Sequence, residues 1–178
     1  MAAKKLTTES EIFQVAIDLL SRRDYAAGEL KQKLLTKTGP AETESSDDDA
    51  FDEPVEPQVS PRELVERVII RVQEAGYQSD ERYIEMLVRA RKERGYGPQF
   101  IAQYLQQYKL DSLLVEEYID SRDPEWKEYA LRQLEKKYHQ PSDDFKERQK
   151  QQRHLYQRGF NSDQIRWAMS RFDEMFEE

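Results

Sequence analysis

The chain has 178 residues, a formal net charge of −8 and no cysteine. Hydrophobic residues make up 37% and charged residues 36%, so each hydrophobic core should be small. Without cysteine there are no disulfides, thiolate zinc sites or cysteine nucleophiles. No apolar run approaches the roughly 18 residues of a membrane span, and residues 1–10 lack a signal-peptide core. We therefore expect a soluble, cytoplasmic protein.

The negative charge is concentrated in one segment, residues 39–60. This segment holds eight acidic residues, no basic residue and three prolines. Without it the chain carries 28 acidic residues against 28 Lys and Arg, so the remainder is charge-balanced. Segment 39–60 has too little apolar surface to offset the entropy of ordering, and we interpret it as a loosely held acidic linker.

Elsewhere the apolar residues recur with a helical period, and no comparable stretch alternates with period two. Glycines, prolines and helix-start residues divide this pattern into about nine short helices. The start signals are Ser79 and Asp80, Pro98, Pro124, and Ser162 or Asp163. We predict an all-α protein whose short helices are stable only when packed on one another.

One helix corner occurs three times, as an Arg, then Asp or Gly, then an aromatic residue. In each copy, apolar residues follow the aromatic at positions five and nine. The three sets are Tyr25, Leu30 and Leu34; Gly95, Tyr96, Ile101 and Leu105; and Gly159, Phe160, Ile165 and Met169. The Gly or Asp suits a left-handed or turn conformation, and the aromatic fills the angle between two helices. We assign these residues to packing; aromatic platforms for nucleobases are the functional alternative.

Residues suited to catalysis or metal binding are scarce. The two histidines, His139 and His154, lack a metal-ligand partner three or four positions away and are expected at the surface. No phosphate-binding glycine loop or nucleophile elbow occurs, and acidic pairs such as Glu116 and Glu117 suit solvated helix faces. We expect no enzymatic activity, no cofactor and no bound metal.

The eighth predicted helix, residues 145–158, is unusual because nine consecutive polar residues follow Phe145. Its core-facing stripe is expected to be polar through Arg148, Gln149 and Gln152, before Leu155 and Tyr156 resume the apolar pattern. This helix either bridges through solvent or faces an anionic or polar partner. The basic residues that are candidates for partner binding are Lys146, Lys150, Arg153, Arg89, Lys92, Lys136 and Lys137.

The corners resemble those of the RecX family, regulatory proteins of bacterial recombination. The matching stretches are AIDLLSRRDYAAGELKQKL from Ala16, VIIRVQEAGYQSDERYIEMLVRARKERGYGPQFIAQYL, DPEWKEYALRQLEKKY and LYQRGFNSDQIRWAM. The resemblance implies three tandem three-helix, helix-turn-helix-like repeats in an elongated, curved molecule. We place the repeats at residues 1–75, interrupted by the acidic linker 39–60, at 76–122 and at 123–178. The resemblance also gives Gly76, Tyr77, Asp80 and Tyr83 a structural role.

For function, the resemblance implies a non-enzymatic protein that docks on the RecA recombinase filament on single-stranded DNA. Such proteins restrain filament extension, strand exchange, ATP hydrolysis and the co-protease activity of the SOS response, and so modulate DNA repair. We expect a monomer with weak contact to single-stranded DNA and none to membranes. The alternatives are a direct DNA-binding helix-turn-helix protein and a generic helical adaptor. The acidic linker departs from the family, either as a solvated insertion or as a DNA-mimicking arm.

Overall fold

A computed structural model describes residues 5–38 and 59–177 of the chain. Nine α-helices lie in these residues, and the one β-type contact among them is an isolated bridge between Leu6 and Thr38. In chain order the helices are α1 (Glu9–Leu20), α2 (Ala27–Lys37), α3 (Pro61–Glu74), α4 (Asp80–Glu93), α5 (Pro98–Gln106), α6 (Ser112–Tyr118), α7 (Glu125–Tyr138), α8 (Phe145–Gln157) and α9 (Ser162–Glu174). The all-α fold class is confirmed. None of the described helices is long and apolar enough to cross a membrane.

The chain divides into two compact units, residues 1–83 and 84–178. In the first unit, α3 packs on both α1 and α2. Its core consists of Ile12, Ala16, Tyr25, Leu30, Leu34, Val65, Val68, Ile69 and Val72. These residues occur at helical spacing, so one apolar face from each helix meets the others. Most of the acidic linker, residues 39–58, lies outside the described residues.

Ser60, at the described end of that linker, caps the start of α3. The Ser60 hydroxyl accepts from the backbone N–H of Glu63, and the Glu63 carboxylate accepts from the Ser60 backbone N–H, while Pro61 opens the helix. This reciprocal pair satisfies two N–H groups that a helix start leaves unpaired. The same arrangement starts α9, where the cap is Asn161 paired with Gln164. The first helical residue is Ser162, one of the two predicted start residues, and Asn161 is the cap before it.

The second unit contains the rest of α4 and helices α5 to α9. Helix α7 packs chiefly on α9, and α8 packs on both. The fully buried side chains include Trp126, Leu134, Leu155, Phe160 and Phe172. The Trp126 indole N–H donates to the Asp120 carbonyl at 2.9 Å, so the ring is buried without leaving its donor unpaired.

The three corners differ in backbone conformation. Gly95 and Gly159 have φ of +78° and +87°, as the helix-ending position requires, and Gly76 has +73°. Asp24 is not left-handed; α1 ends earlier, at Leu20, so the turn to α2 is long enough without a positive φ. The Asp24 carboxylate instead accepts from Arg82 at 3.3 Å.

The corner side chains are mostly buried, with two exceptions. Tyr25, Leu30, Leu34, Ile101, Leu105, Phe160, Ile165 and Met169 are all buried. Tyr96 is only partly buried and stacks on Phe100 with ring centroids 4.3 Å apart. Tyr77 is 53% exposed, so its structural role lies in its backbone and not in a buried ring. Its backbone carbonyl accepts from Arg82, which also bonds to the Gly76 carbonyl and so caps the end of α3.

Candidate functional site

Helix α8 presents an exposed polar face opposite a narrow buried stripe. Asp144 caps its start by accepting from the Glu147 backbone N–H at 3.0 Å. The buried positions are Gln151 and Leu155, one turn apart. Gln149 and Gln152 are exposed, so the core-facing stripe differs from the expected one by a fraction of a turn. Much of the remaining surface of α8 is exposed to solvent.

A groove of about 670 Å³ runs between α8 and α9. Its lining combines basic, polar and a few apolar side chains: Arg148, Gln149, Gln152, Arg153, Tyr156, Ser162, Ile165, Arg166, Met169, Ser170 and Asp173. The α9 residues among them recur at intervals of three and four, which places them on one helix face. Both walls belong to the second unit, so the groove lies within one compact body.

An ion pair joins the two walls of the groove. The Arg148 guanidinium donates to both carboxylate oxygens of Asp173, at 2.9 and 2.7 Å, and also to the Ser142 carbonyl. Both side chains are about one third exposed or less. The hydrogen bond to Asp173 is the main cause that raises the pKa of Arg148. This two-point contact fixes the spacing between α8 and α9 at that point.

The three basic residues predicted on α8 have different surroundings. Arg153 is exposed and lines the groove. Lys150 donates to Glu147 at 2.6 Å, and this bond raises the pKa of Lys150. Lys146 is exposed on the same side of the helix but does not line the groove. Of the three, only Arg153 belongs to the concave surface.

The two basic residues predicted on α4 also separate. Lys92 is largely covered: its amino group lies 2.8 Å from the Glu125 carboxylate and 4.4 Å from the Trp126 ring centroid. It therefore attaches α4 to α7 and has little surface left for a partner. Arg89 is exposed on α4 and does not line the α8–α9 groove.

One of the two basic residues predicted at the end of α7 contacts a histidine of α8. Lys136 is exposed, whereas the Lys137 ammonium lies 3.1 Å from Nδ1 of His154 on α8. Because the ammonium can only donate, Nδ1 must accept, which requires a neutral imidazole. Partial burial, followed by the charges of Lys137 and Arg158, lowers the pKa of His154 from 6.5 to about 4. His154 is therefore a partly buried residue at the surface, and its ring contacts Lys137 and Tyr138 of α7.

Sequence reasoning identified α8 as a candidate surface but missed the α9 wall of the groove. Tyr156 was grouped with the apolar residues at the end of α8, yet it is 68% exposed and lines the groove. Arg166 and Asp173 of α9 were not singled out. A usable signal was present, because Phe145 and Tyr156 are eleven residues apart and so share one face of α8. Phe145 is likewise 71% exposed.

The geometry suits binding by charge and shape. Within residues 5–38 and 59–177, no group of three His, Asp or Glu side chains is arranged to hold a metal ion. The groove contains guanidinium groups, amides, hydroxyls and one exposed aromatic ring. Such side chains donate hydrogen bonds to anionic oxygens and stack on planar groups.

The helices and corners define a class of protein built from three-helix repeats, and comparisons with known sequences agree. The description "RecX, second three-helix domain" matches residues 79–119, and "RecX, third three-helix domain" matches residues 125–169. The match to the third three-helix domain contains α7, α8 and most of α9, and therefore most of the groove.

Full-length relatives give the family. The regulatory protein RecX of Legionella pneumophila strain Corby is 36% identical over 157 residues, which cover 88% of this chain and 91% of the relative. The regulatory protein RecX of Salmonella newport strain SL254 is 32% identical over 162 residues, covering 88% and 89%. The chain belongs to the RecX family.

Two solved structures share the fold. A crystal structure of regulatory protein RecX superposes with a TM-score of 0.67 at 20% identity, covering 91% of this chain and 73% of that one. RecX from Lactobacillus salivarius also gives a TM-score of 0.67, at 18% identity, covering 92% and 96%. The helical repeat fold inferred from the corners is thus confirmed.

Proposed function

We propose that this chain is a non-enzymatic regulator that binds the RecA recombinase filament on single-stranded DNA. It restrains filament extension, strand exchange, ATP hydrolysis and the SOS co-protease activity, and so modulates repair and recombination. The observation that carries this proposal is membership of a family whose relatives are named regulatory proteins, over 88% of the chain. We place this activity in the cytoplasm.

The proposed repeats are residues 1–75, 76–122 and 123–178, and the third supplies the principal contact surface. Its groove between α8 and α9 is open, polar and lined by basic side chains. Residues committed to the fold, such as Lys92 and Lys137, are poor candidates for binding because a partner would have to break their contacts. Arg153, with Lys146 and Lys150 beside it, remains the strongest candidate on α8.

The test is single-stranded-DNA-dependent ATP hydrolysis by the cognate recombinase, with this protein added well below stoichiometry. The proposal predicts a lower rate, because a regulator that acts on a filament affects many subunits for each molecule bound. No change in rate, even with the protein in excess over the recombinase, rejects the proposal.

A further inference from the structure

We infer that the α8–α9 groove binds single-stranded DNA directly, with Arg153 and Arg166 on the phosphates and Tyr156 stacked against a base. The inference deepens the proposed function and rests on it for the identity of the strand. The geometry alone specifies a flexible polyanion that carries planar rings.

The positive charge of the groove is available to a ligand. Among the described residues, the Arg153 guanidinium forms no ion pair with a carboxylate within 4.0 Å. Arg166 pairs with Asp163 at 3.5 Å, and both side chains are about 80% exposed. Solvent screens such a contact strongly, so a phosphate oxygen can replace the carboxylate at little cost. By contrast, Arg148 is held by Asp173 and keeps the walls in place.

Aromatic rings are the second requirement for a single strand. Phe145 and Tyr156 are 71% and 68% exposed and lie on the same face of α8, roughly 16 Å apart along the axis. Unstacked bases supply the π-faces that such rings bind, whatever the base sequence. Gln149 lies between the rings on the same face, and its amide can donate to and accept from base edges.

An acidic peptide explains fewer of these features. It would pair with the guanidinium groups but would leave the exposed Tyr156 ring of the groove, and Phe145 on the same helix face, without a planar partner. Duplex DNA also fits poorly, because its bases are paired and stacked inside the helix and offer no free face to the Tyr156 ring.

The experiment measures fluorescence anisotropy of a labelled oligothymidine of about 15 nucleotides, with the full chain and no recombinase, across a series of salt concentrations. The variants are Arg153→Ala, Arg166→Ala and Tyr156→Ala. Matched controls are Arg62→Ala, which removes an exposed arginine of α3, and Tyr77→Ala, which removes an exposed tyrosine outside the groove. Thermal melting checks that every variant remains folded.

We expect the wild-type chain to bind the oligonucleotide with a salt-dependent affinity. Each arginine variant should lower the slope of log Kd against log salt by about 0.7, the value for one lost phosphate contact on a single strand. Tyr156→Ala should weaken binding about fivefold or more and leave the slope unchanged, because stacking releases no counterion. The two controls should match the wild type.

Three results overturn the inference: no binding by the wild type at low salt, equal losses in the groove and control variants, or stronger competition by polyglutamate than by unlabelled oligonucleotide of equal charge. The last result would assign the groove to an acidic peptide. Because no recombinase is present, a chain that fails here but lowers ATP hydrolysis retains the proposed function and loses only this site. A chain that binds the oligonucleotide but leaves ATP hydrolysis unchanged retains this site and loses the proposed function.

Discussion

The backbone N–H of Gly97 donates to the carbonyl of Arg158 at 2.7 Å, so the second and third helix corners are joined through their main chains. The Gln99 N–H donates to the Gly159 carbonyl at 3.1 Å, and the Arg158 guanidinium reaches the Arg94 carbonyl at the same distance. Direct backbone contact of this kind requires that no side chain stand between the two segments.

We therefore expect Gly97→Ala to destabilise the protein by about 1–3 kcal/mol. An added Cβ would lie 2.5 Å from both the carbonyl carbon and the oxygen of Gly159, and a main chain cannot move aside as a flexible side chain can. Gly97 has φ of −85°, which any residue adopts, so the loss measures steric overlap alone. Urea unfolding gives the free energy.

The control for Gly97→Ala is Gly76→Ala. At Gly76 an added Cβ meets nothing within 4 Å, but φ is +73°, so only backbone strain of roughly 1 kcal/mol applies. Gly159→Ala combines both costs, since φ is +87° and the Cβ would lie 2.4 Å from the Phe100 nitrogen. It should be the most destabilising of the three. A Gly97→Ala variant as stable as the wild type would contradict the corner contact.

The two-point ion pair between Arg148 and Asp173 should have a measurable coupling energy. In a double-mutant cycle of Arg148→Ala and Asp173→Ala, we expect a coupling energy of about 1 kcal/mol. This is larger than the coupling energy of most surface ion pairs, because both contacts are short and partly buried. The cycle of Arg166→Ala with Asp163→Ala is the matched exposed pair and should give about zero. Equal coupling in both cycles would show that Arg148 does not brace the groove.

His154 should make stability depend on pH. Its pKa is about 4 in the folded chain and near 6.5 when unfolded, so the unfolded state binds the proton first as the pH falls. The contribution of neutral His154 to the free energy of unfolding is complete above pH 6.5 and is lost progressively as the pH falls towards 4. The full shift corresponds to about 3 kcal/mol, which solvent screening of this partly exposed ring reduces to roughly 1–2 kcal/mol.

Urea unfolding at pH 7.5 and pH 5 measures this loss. His154→Gln serves as the comparison, because its amide oxygen can accept from Lys137 without titrating. Carboxylates also begin to titrate near pH 5, and they do so in both proteins. The wild type should therefore lose more stability than the variant, and identical losses would contradict the lowered pKa.

Two buried glutamines should respond oppositely to loss of their amides. Gln151 is 2% exposed, and its side-chain oxygen has no hydrogen-bond partner within the described part of the chain. Gln151→Met should be neutral or stabilise by about 1 kcal/mol, because an unpaired buried oxygen is removed. The Gln78 side-chain oxygen is also unpaired within the described residues, but its NH2 group donates to the Tyr25 carbonyl and to Asp80. Gln78→Met leaves these two acceptors without their donor and should cost about 1–2 kcal/mol. Thermal denaturation that ranks the two variants the other way would contradict these assignments.

The fold was largely predictable because periodicity and corner residues are local signals. The spacing of Val65, Val68 and Val72 specifies a buried face whatever the partner helix. The contacts of Lys92 and Lys137 were not predictable, since each depends on a helix distant in sequence. Sequence alone shows a lysine, and only the packing decides whether its charge faces a partner or an internal ring.

The groove was only partly predictable for a related reason. Arg153 was found because α8 is polar along its length, a property of one helix. Tyr156 was misplaced because an aromatic beside a buried leucine resembles a core residue. The direction of the buried stripe is set by α7 and α9 and rests on Gln151 and Leu155. A face that includes a glutamine cannot be oriented by hydrophobicity alone.

If the proposed regulation of the recombinase acts through the α8–α9 groove, Arg153 and Arg166 should be required for it. The most direct measurement is inhibition of single-stranded-DNA-dependent ATP hydrolysis by the double variant Arg153→Glu and Arg166→Glu, beside the control Arg62→Glu. All three positions are exposed, so thermal stability should be unchanged. The groove variant should lose most of the inhibition while the control retains it. A groove variant that inhibits as strongly as the wild type would show that the groove is not the regulatory surface.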